Sequence, residues 1–198
     1  MKANDFNMSE EIKFDINSGI TTFRDSRMLI YDANAIGLMR QELINLVGIE
    51  KAREFFIKFN YQNGYEEFMN MKNNYTFDNE MELLASGPTL HTWRGIVKAT
   101  PKELRFNRDS GEFYFTGIWD NSYEAEQHLQ FKEQSTESVC WSLVGYASGW
   151  ASAFFGQKLI AIEPLCKGKG DDHCEWLVKP PADWGDEAKL YIDILKEF

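Results

Sequence analysis

The chain has 198 residues, of which 43% are hydrophobic and 15% aromatic, which is the size and composition of a single folded domain. Its net charge of −10 argues against unaided binding to nucleic acid or to an anionic membrane, because phosphate groups attract cations. The polar, acidic first residues and the odd number of cysteines, three, predict a cytoplasmic protein without a signal peptide.

The first part of the chain predicts a small antiparallel sheet. Residues 1–11 are predicted to form a flexible tail. Ile12–Ile16 and Ile20–Phe23 have strand-like patterns on either side of the turn Asn17-Ser18-Gly19, which is typical of a hairpin. Met28–Tyr31 predicts a further strand.

Three helices follow, and each is bounded by a cap or by a glycine: 34–48, 50–71 and 80–86. In the second helix the candidate buried positions are Phe55, Phe59, Tyr65 and Phe68, and Asn63-Gly64 is a candidate break. The third helix is expected to end at Gly87-Pro88.

The second half of the chain predicts strands at 96–97, 103–106, 113–119, 159–163 and 175–178, with helices at 122–129, 139–156 and 186–196. The terminal helix places Leu190, Ile194 and Leu195 on its apolar side. The 18-residue stretch 139–156 has no charged side chain, but its serines and glycines favour a buried helix over a membrane span. Gly145 and Gly149 are expected to let another element approach this helix. The predicted fold class is α+β, with an antiparallel sheet flanked by helices.

Four residues near the C-terminal end have spacings that could close around zinc: Cys140, Glu163, Cys166 and Cys174. Tetrahedral zinc takes four nitrogen, sulfur or oxygen ligands, and a shell filled by protein leaves no position for a reactive water. Spacing alone leaves a second interpretation open, in which these are ordinary buried thiols, because free cysteine packs as a small apolar residue. His128 and His173 are weaker alternatives to Glu163.

The chain resembles the aromatic-sensing domain of phenol- and toluene-responsive sigma-54-dependent transcription activators. The resemblance rests on the ligand quartet and on three segments: Gly87-Pro88-Thr89-Leu90-His91, Trp119 to Glu126, and Val139 to Gly149. It covers 12–184, with 12–50 as a dimerisation region containing strands and 185–198 as a terminal linker helix. Residues 122–180 form a zinc module, which resembles the 4-vinyl-reductase type.

The resemblance implies that Cys140, Glu163, Cys166 and Cys174 bind a structural Zn²⁺. It also implies that His91 and Trp119 form hydrogen bonds with the hydroxyl of a phenol. A buried hydroxyl must regain the hydrogen bonds that it loses with water, and imidazole and indole can supply them. Without the resemblance, a histidine satisfied in the core and a tryptophan that only packs would be the simpler interpretation.

The predicted ligand-binding set also includes Leu84, Gly117, Val144 and Ala161. Leu84, Gly117 and Ala161 stand where phenol sensors tend to have bulky aromatic walls, and Val144 is expected nearby. Because a glycine in place of a phenylalanine removes a large volume, we expect a roomier cavity that suits a substituted or two-ring aromatic.

The function implied by the resemblance is sensing without catalysis. An aromatic compound is buried in a homodimeric sensor, and this relieves repression of an attached AAA+ ATPase module. Two alternatives remain open at this point: a zinc-dependent enzyme of the 4-vinyl reductase type, and a stand-alone small-molecule-binding protein.

Overall fold

The computed structural model describes residues 1–198, which form seven α-helices, seven β-strands and four short 3-10 turns. The helices are α1 (Met8–Glu11), α2 (Ala33–Val47), α3 (Ile49–Asn74), α4 (Glu80–Trp93), α5 (Tyr123–Phe131), α6 (Trp141–Phe155) and α7 (Lys189–Ile194). The strands are β1 (Ile12–Asp15), β2 (Ile20–Phe23), β3 (Ser26–Met28), β4 (Lys98–Asn107), β5 (Glu112–Asp120), β6 (Ile160–Leu165) and β7 (Cys174–Lys179). This arrangement confirms the predicted α+β class. None of the helices combines the length and apolar character needed to cross a bilayer.

The main sheet is antiparallel, with the strand order β4-β5-β7-β6. The two predicted segments 96–97 and 103–106 are replaced by one strand, β4, which begins at Lys98 and continues through Pro101. Proline lacks the N–H that a central strand needs, but β4 lies at the sheet edge, where this is tolerated. The pairing register of β4 with β5 shifts between Pro101 and Glu103.

The other edge of the main sheet, β6, is bonded to helix α6 through two buried serines. The backbone N–H of Ala161 donates to Ser148 Oγ, and that of Leu159 donates to Ser152 Oγ, both at 2.8 Å. These bonds satisfy amide groups at the edge of the sheet and fix the helix against it.

The predicted flexible tail instead packs against helix α4. Ala3, Phe6 and Met8 are buried, and the N–H of Ala3 donates to a Glu82 carboxylate oxygen at 2.7 Å. The indole N–H of Trp93 donates to the Phe6 carbonyl at 3.0 Å. The polar composition of this segment concealed three apolar anchors at alternating or near-alternating positions.

The small N-terminal sheet has the order β1-β2-β3, and the predicted hairpin Ile12–Phe23 is present. The third strand differs from the prediction: it covers Ser26–Met28, whereas residues 29–31 lie outside it with exposed side chains. Helix α2 is capped by Asp32 rather than by Asn34, because the Asp32 carboxylate accepts a hydrogen bond from the Ala35 N–H.

Helices α3 and α6 pack closely through glycines, as the sequence predicted for Gly145 and Gly149. A Cβ atom at Gly149 would lie 2.7 Å from the carbonyl carbon of Tyr61 and closer still to its oxygen. Gly64 makes the reciprocal contact, since a Cβ there would lie 3.1 Å from Trp150 N. Helix α3 therefore runs unbroken past Gly64, where the sequence suggested a break.

The inward face of α3 is not the predicted one. Phe55, Phe59 and Tyr65 are exposed, whereas Phe68 is buried as expected. The buried side chains follow a helical spacing that starts from Phe56 and its neighbours, so α3 places a second row of aromatic rings on its outer surface.

Helix α4 continues beyond its predicted end, with Pro88 inside it. Proline cannot donate to the carbonyl four residues earlier, which is that of Leu84. The indole N–H of Trp150 on α6 donates to this carbonyl at 3.0 Å. The tertiary contact thus supplies the hydrogen bond that the proline removes, and it extends α4 as far as His91 and Trp93.

The C-terminal segment is a 3-10 turn (Asp186–Ala188) followed by α7, rather than one continuous helix. Ile194 and Leu195 are buried as predicted, but Leu190 is 39% exposed. This segment contacts α3 and β6, and Phe198 lies against Tyr61 with ring centroids 5.0 Å apart.

Candidate functional site

A small inner cavity lies between helices α4 and α6 and the inner face of strands β4, β5 and β7. Its volume is about 40 Å³, and most of the residues that line it are hydrophobic. Its ring-bearing walls are His91, Phe115, Trp119, Tyr146, Trp150 and Trp176. An engineered apolar cavity of about 150 Å³ binds benzene, so these side chains must move outward before an aromatic ring fits.

Two predicted site residues, His91 on α4 and Trp119 on β5, both line this inner cavity. His91 is buried, and burial followed by the nearby Arg94 guanidinium lowers its pKa to about 3. The imidazole is therefore neutral at physiological pH and can accept a hydrogen bond. Neither its ring nor the Trp119 indole N–H makes a hydrogen bond within the protein. This pair thus offers the cavity an acceptor and a donor that are free for a small molecule.

The wall beside His91 is held by a buried polar network. The Tyr146 ring contacts the His91 ring at a centroid distance of 3.9 Å, and the Tyr146 hydroxyl donates to Glu67 Oε2 at 2.6 Å. Arg94 forms a two-pronged ion pair with the same carboxylate, including Nη1 to Oε2 at 2.8 Å. Burial, reinforced by Glu67, raises the pKa of Tyr146 well above its usual range. This network fixes the orientation of Tyr146 and keeps its hydroxyl occupied.

The other four predicted ligand-binding residues do not line the inner cavity. Leu84, Val144 and Ala161 are buried in the surrounding core, and Gly117 lies on β5 beneath an indole ring. A Cβ at Gly117 would lie 2.5 Å from Trp176 Cζ2. The extra room expected at Gly117 is therefore absent, because Trp176 fills it, as close packing of interiors favours.

Sequence reasoning missed the cavity residues Phe115, Tyr146, Trp150 and Trp176. The alternation along β7, in which Cys174, Trp176 and Val178 are buried, was a signal that Trp176 faces inward. No local pattern could have indicated Trp150, because its place in the cavity depends on the packing of α6 against α4.

An outer groove of about 510 Å³ adjoins the inner cavity on the side of α2 and α3. Its apolar walls include Tyr31, Met39 and Phe59, and it shares His91 and Tyr146 with the inner cavity. These two side chains are therefore the partition between the core and an open groove.

The four predicted metal ligands come together in one buried cluster: Cys140, Glu163, Cys166 and Cys174. Their donor atoms all lie within 4.8 Å of one another. The sulfurs of Cys140 and Cys174 are 4.0 Å apart, and zinc–sulfur bonds of about 2.3 Å in a tetrahedron would separate two sulfurs by about 3.8 Å. His128 and His173 are not members of this cluster.

Local backbone structure aims these donors at one point. Cys140 immediately precedes α6, Glu163 lies on β6, and Cys174 begins β7. The 3-10 turn Lys167–Lys169 folds the intervening loop back, so that the Lys167 N–H donates to Cys174 Sγ at 3.3 Å. The predicted glycine-rich turn thus presents two sulfurs to the same space.

The charge state of the cluster favours a bound cation. Burial raises the pKa of Cys140 and that of Glu163, whereas hydrogen bonds from Cys140 and Cys174 lower the pKa of Cys166 to about 2. Glu163 Oε1 is buried and has no hydrogen-bond partner. Three sulfurs and a carboxylate crowded away from water are a donor set that a divalent metal ion would neutralise and satisfy.

A buried ion pair connects helix α2 to the start of α6 beside this cluster. Glu124 accepts hydrogen bonds from the N–H groups of Ser142 and Leu143, both at 3.1 Å, and from Arg40 at 3.4 Å. Arg40 also donates to the Val139 carbonyl at 2.8 Å. A carboxylate at a helix N-terminus is favoured by the helix dipole, and it fixes α6 in this orientation.

Comparison with known proteins gives consistent matches. The family model described as "Activator of aromatic catabolism" matches residues 7–107, and that of the 4-vinyl reductase domain matches residues 119–180. The phenol regulator MopR of Acinetobacter guillouiae is 35% identical over 91% of this chain, and the transcriptional regulatory protein XylR of Pseudomonas putida is 32% identical over 92%. This chain spans 32% of the length of each of these two relatives.

Among solved structures, the phenol-responsive sensory domain of the transcription activator PoxR, crystallised with phenol, superposes with a TM-score of 0.86. Its sequence is 29% identical, and the match covers 95% of this chain and 93% of that one.

Proposed function

The chain belongs to the family of activators of aromatic catabolism, and from this membership we propose that it buries a phenol-like compound in the inner cavity and signals its presence. The observation that carries the proposal is the pairing of a neutral His91 with the Trp119 indole N–H inside an aromatic enclosure. Imidazole accepts the hydroxyl proton of a phenol, and indole donates to the hydroxyl oxygen. The ring itself gains apolar burial.

Calorimetric titration of the purified protein with phenol tests this proposal. We expect Trp119→Phe to weaken binding about tenfold or more, because it leaves the hydroxyl without its donor. The matched control is Trp93→Phe, which removes an indole N–H bonded to the Phe6 carbonyl outside the cavity. Absence of phenol binding, or equal binding by wild type and Trp119→Phe, would contradict the proposal.

We propose further that Cys140, Glu163, Cys166 and Cys174 hold a structural Zn²⁺. The proximity of the four donors and the unpartnered Glu163 oxygen support this assignment. When bound, the ion would hold β6, β7 and the start of α6 together. Four protein ligands leave no position for an activated water, so we propose that the chain is not an enzyme.

Cobalt substitution separates this proposal from the alternative of a zinc-dependent enzyme. A thiolate-rich tetrahedral site gives an absorption spectrum that added azide leaves unchanged when all four ligands come from the protein. A spectrum that shifts with azide would indicate an exchangeable position and would favour the enzyme.

A homodimer is the assembly that we propose for this chain. The N-terminal region exposes apolar side chains that a monomer would leave in water: Ile16, Leu29, Ile30, Tyr31, Leu38 and Met39. Such a surface is typical of an interface. Light scattering after size exclusion should give twice the monomer mass for the wild type and for the control Asn45→Glu, and the monomer mass for Leu38→Glu. A monomeric wild type would contradict the proposal.

The matched relatives are longer than this chain, which supports a further proposal about the output. Effector binding would relieve repression of an attached sigma-54-dependent AAA+ ATPase, with residues 185–198 as the linker. Fusion of the chain to such an ATPase should give hydrolysis that rises with phenol. ATP hydrolysis that phenol leaves unchanged would instead favour a stand-alone small-molecule-binding protein.

A further inference from the structure

Trp176 stands in an unusual relation to Gly117. The two residues are direct partners on the antiparallel strands β7 and β5. A Cβ atom at Gly117 would lie 2.5 Å from Trp176 Cζ2 and 2.7 Å from Cε2, which is well inside van der Waals contact. The indole can therefore lie over β5 only because residue 117 has no side chain, and it forms the wall of the inner cavity on this side.

This indole is packed among aromatic neighbours that also line the cavity. The Phe115 ring meets it in a T-shaped arrangement at a centroid distance of 4.4 Å, and the Trp119 ring lies 6.2 Å away. The position of Trp176 next to Trp119 means that a ring bound to Trp119 would also approach Trp176.

The indole nitrogen of Trp176 is buried and has no hydrogen-bond partner. By contrast, two other donor side chains of the cavity are occupied, since Trp150 bonds the Leu84 carbonyl and Tyr146 bonds Glu67. Buried donors in native proteins are nearly always paired with protein, water or ligand. An unpaired N–H on a cavity wall is thus a position where a ligand acceptor would relieve a cost.

We propose that Trp176 contacts the effector and determines its class: a single-ring phenol that carries a second, hydrogen-bond-accepting group such as an ether or carbonyl oxygen. This inference rests on the proposed function. The hydroxyl would occupy His91 and Trp119, and the second group would accept from Trp176 Nε1. The indole over Gly117 would at the same time exclude a second fused ring.

The test compares ligands of equal size that differ in one acceptor. The ortho, meta and para methoxyphenols are titrated calorimetrically beside the corresponding ethylphenols, with phenol and 2-naphthol as references. We expect the wild type to bind one methoxyphenol isomer at least fivefold more tightly than its ethyl counterpart, and 2-naphthol at least tenfold more weakly than phenol. Trp176→Phe keeps a ring but removes the N–H, and it should bring the methoxy-to-ethyl ratio to about one.

The ratio is measured within each protein, so a general loss of affinity in the variant cancels. The control Trp93→Phe should keep the wild-type ratio. Equal binding of every methoxy and ethyl pair by the wild type, or a preference that survives in Trp176→Phe, would overturn the inference while leaving phenol sensing intact. Tight binding of 2-naphthol by the wild type would overturn the limit to one ring. Failure of every phenol to bind would overturn the proposed function together with this inference.

Discussion

Substitution of Gly149 by alanine should destabilise the protein, although alanine is the better helix former. The added methyl group would lie 2.7 Å from the carbonyl carbon of Tyr61 and 3.0 Å from Tyr65 N. Carbon atoms in contact are normally about 3.5–4.0 Å apart, so α3 and α6 would have to separate by about 1 Å. Overpacking of this kind costs about 3 kcal/mol at the upper end of its usual range, and the helix propensity of alanine returns about 1 kcal/mol. The expected net loss is about 2 kcal/mol.

Urea unfolding followed by circular dichroism measures this loss as a lower midpoint with an unchanged slope. Ala153→Gly in the same helix calibrates the propensity difference, and we expect it to lower the stability by about 1 kcal/mol. If Gly149→Ala were as stable as the wild type, or more stable, the close approach of the two helices would be refuted.

Three further outcomes are expected. Cys166→Ala should lose bound metal by elemental analysis and unfold or aggregate, whereas an unchanged melting temperature and ligand affinity would contradict a structural metal. Lowering the pH from 7.5 to 5 should cost the wild type about 2 kcal/mol more stability than it costs His91→Asn, since the unfolded histidine binds a proton below its pKa of about 6.5, while the folded one stays neutral down to about 3; parallel stability curves for the two proteins would refute this. Glu124→Gln should lower the free energy of unfolding by about 3 kcal/mol because it leaves Arg40 buried without its counter-ion. Loss of less than about 1 kcal/mol would show that the pair is dispensable.

The sequence was sufficient to predict the parts of the fold that depend on local patterns. The hairpin at Ile12–Phe23, the strand β5 and the helix α6 follow from alternation, turn residues and an uncharged run bounded by glycine. The four-residue metal cluster was also predicted, because its members are the only cysteines of the chain and a nearby glutamate.

The misses come from contacts between elements that are distant in sequence. Pro88 appeared to end α4, but the indole of Trp150 satisfies the carbonyl that the proline leaves free. The side of α3 that faces the core is determined by the glycines of α6, so the aromatic residues Phe55 and Phe59 could not be placed from their own spacing. The wall of the inner cavity was misjudged because Trp176, from another strand, fills the space above Gly117.

The two edges of the main sheet determine how copies of this protein can associate. At one edge, Pro101 and the register shift in β4 interrupt the row of groups that another strand would need for pairing. At the other edge, Ser148 and Ser152 already occupy amide groups of β6 and of the residue before it. Edge-to-edge growth of the kind that leads to fibrils is therefore blocked at both ends. Contacts between copies are left to helices and to the small N-terminal sheet, so crowding in a cell should favour closed assemblies over open-ended aggregates.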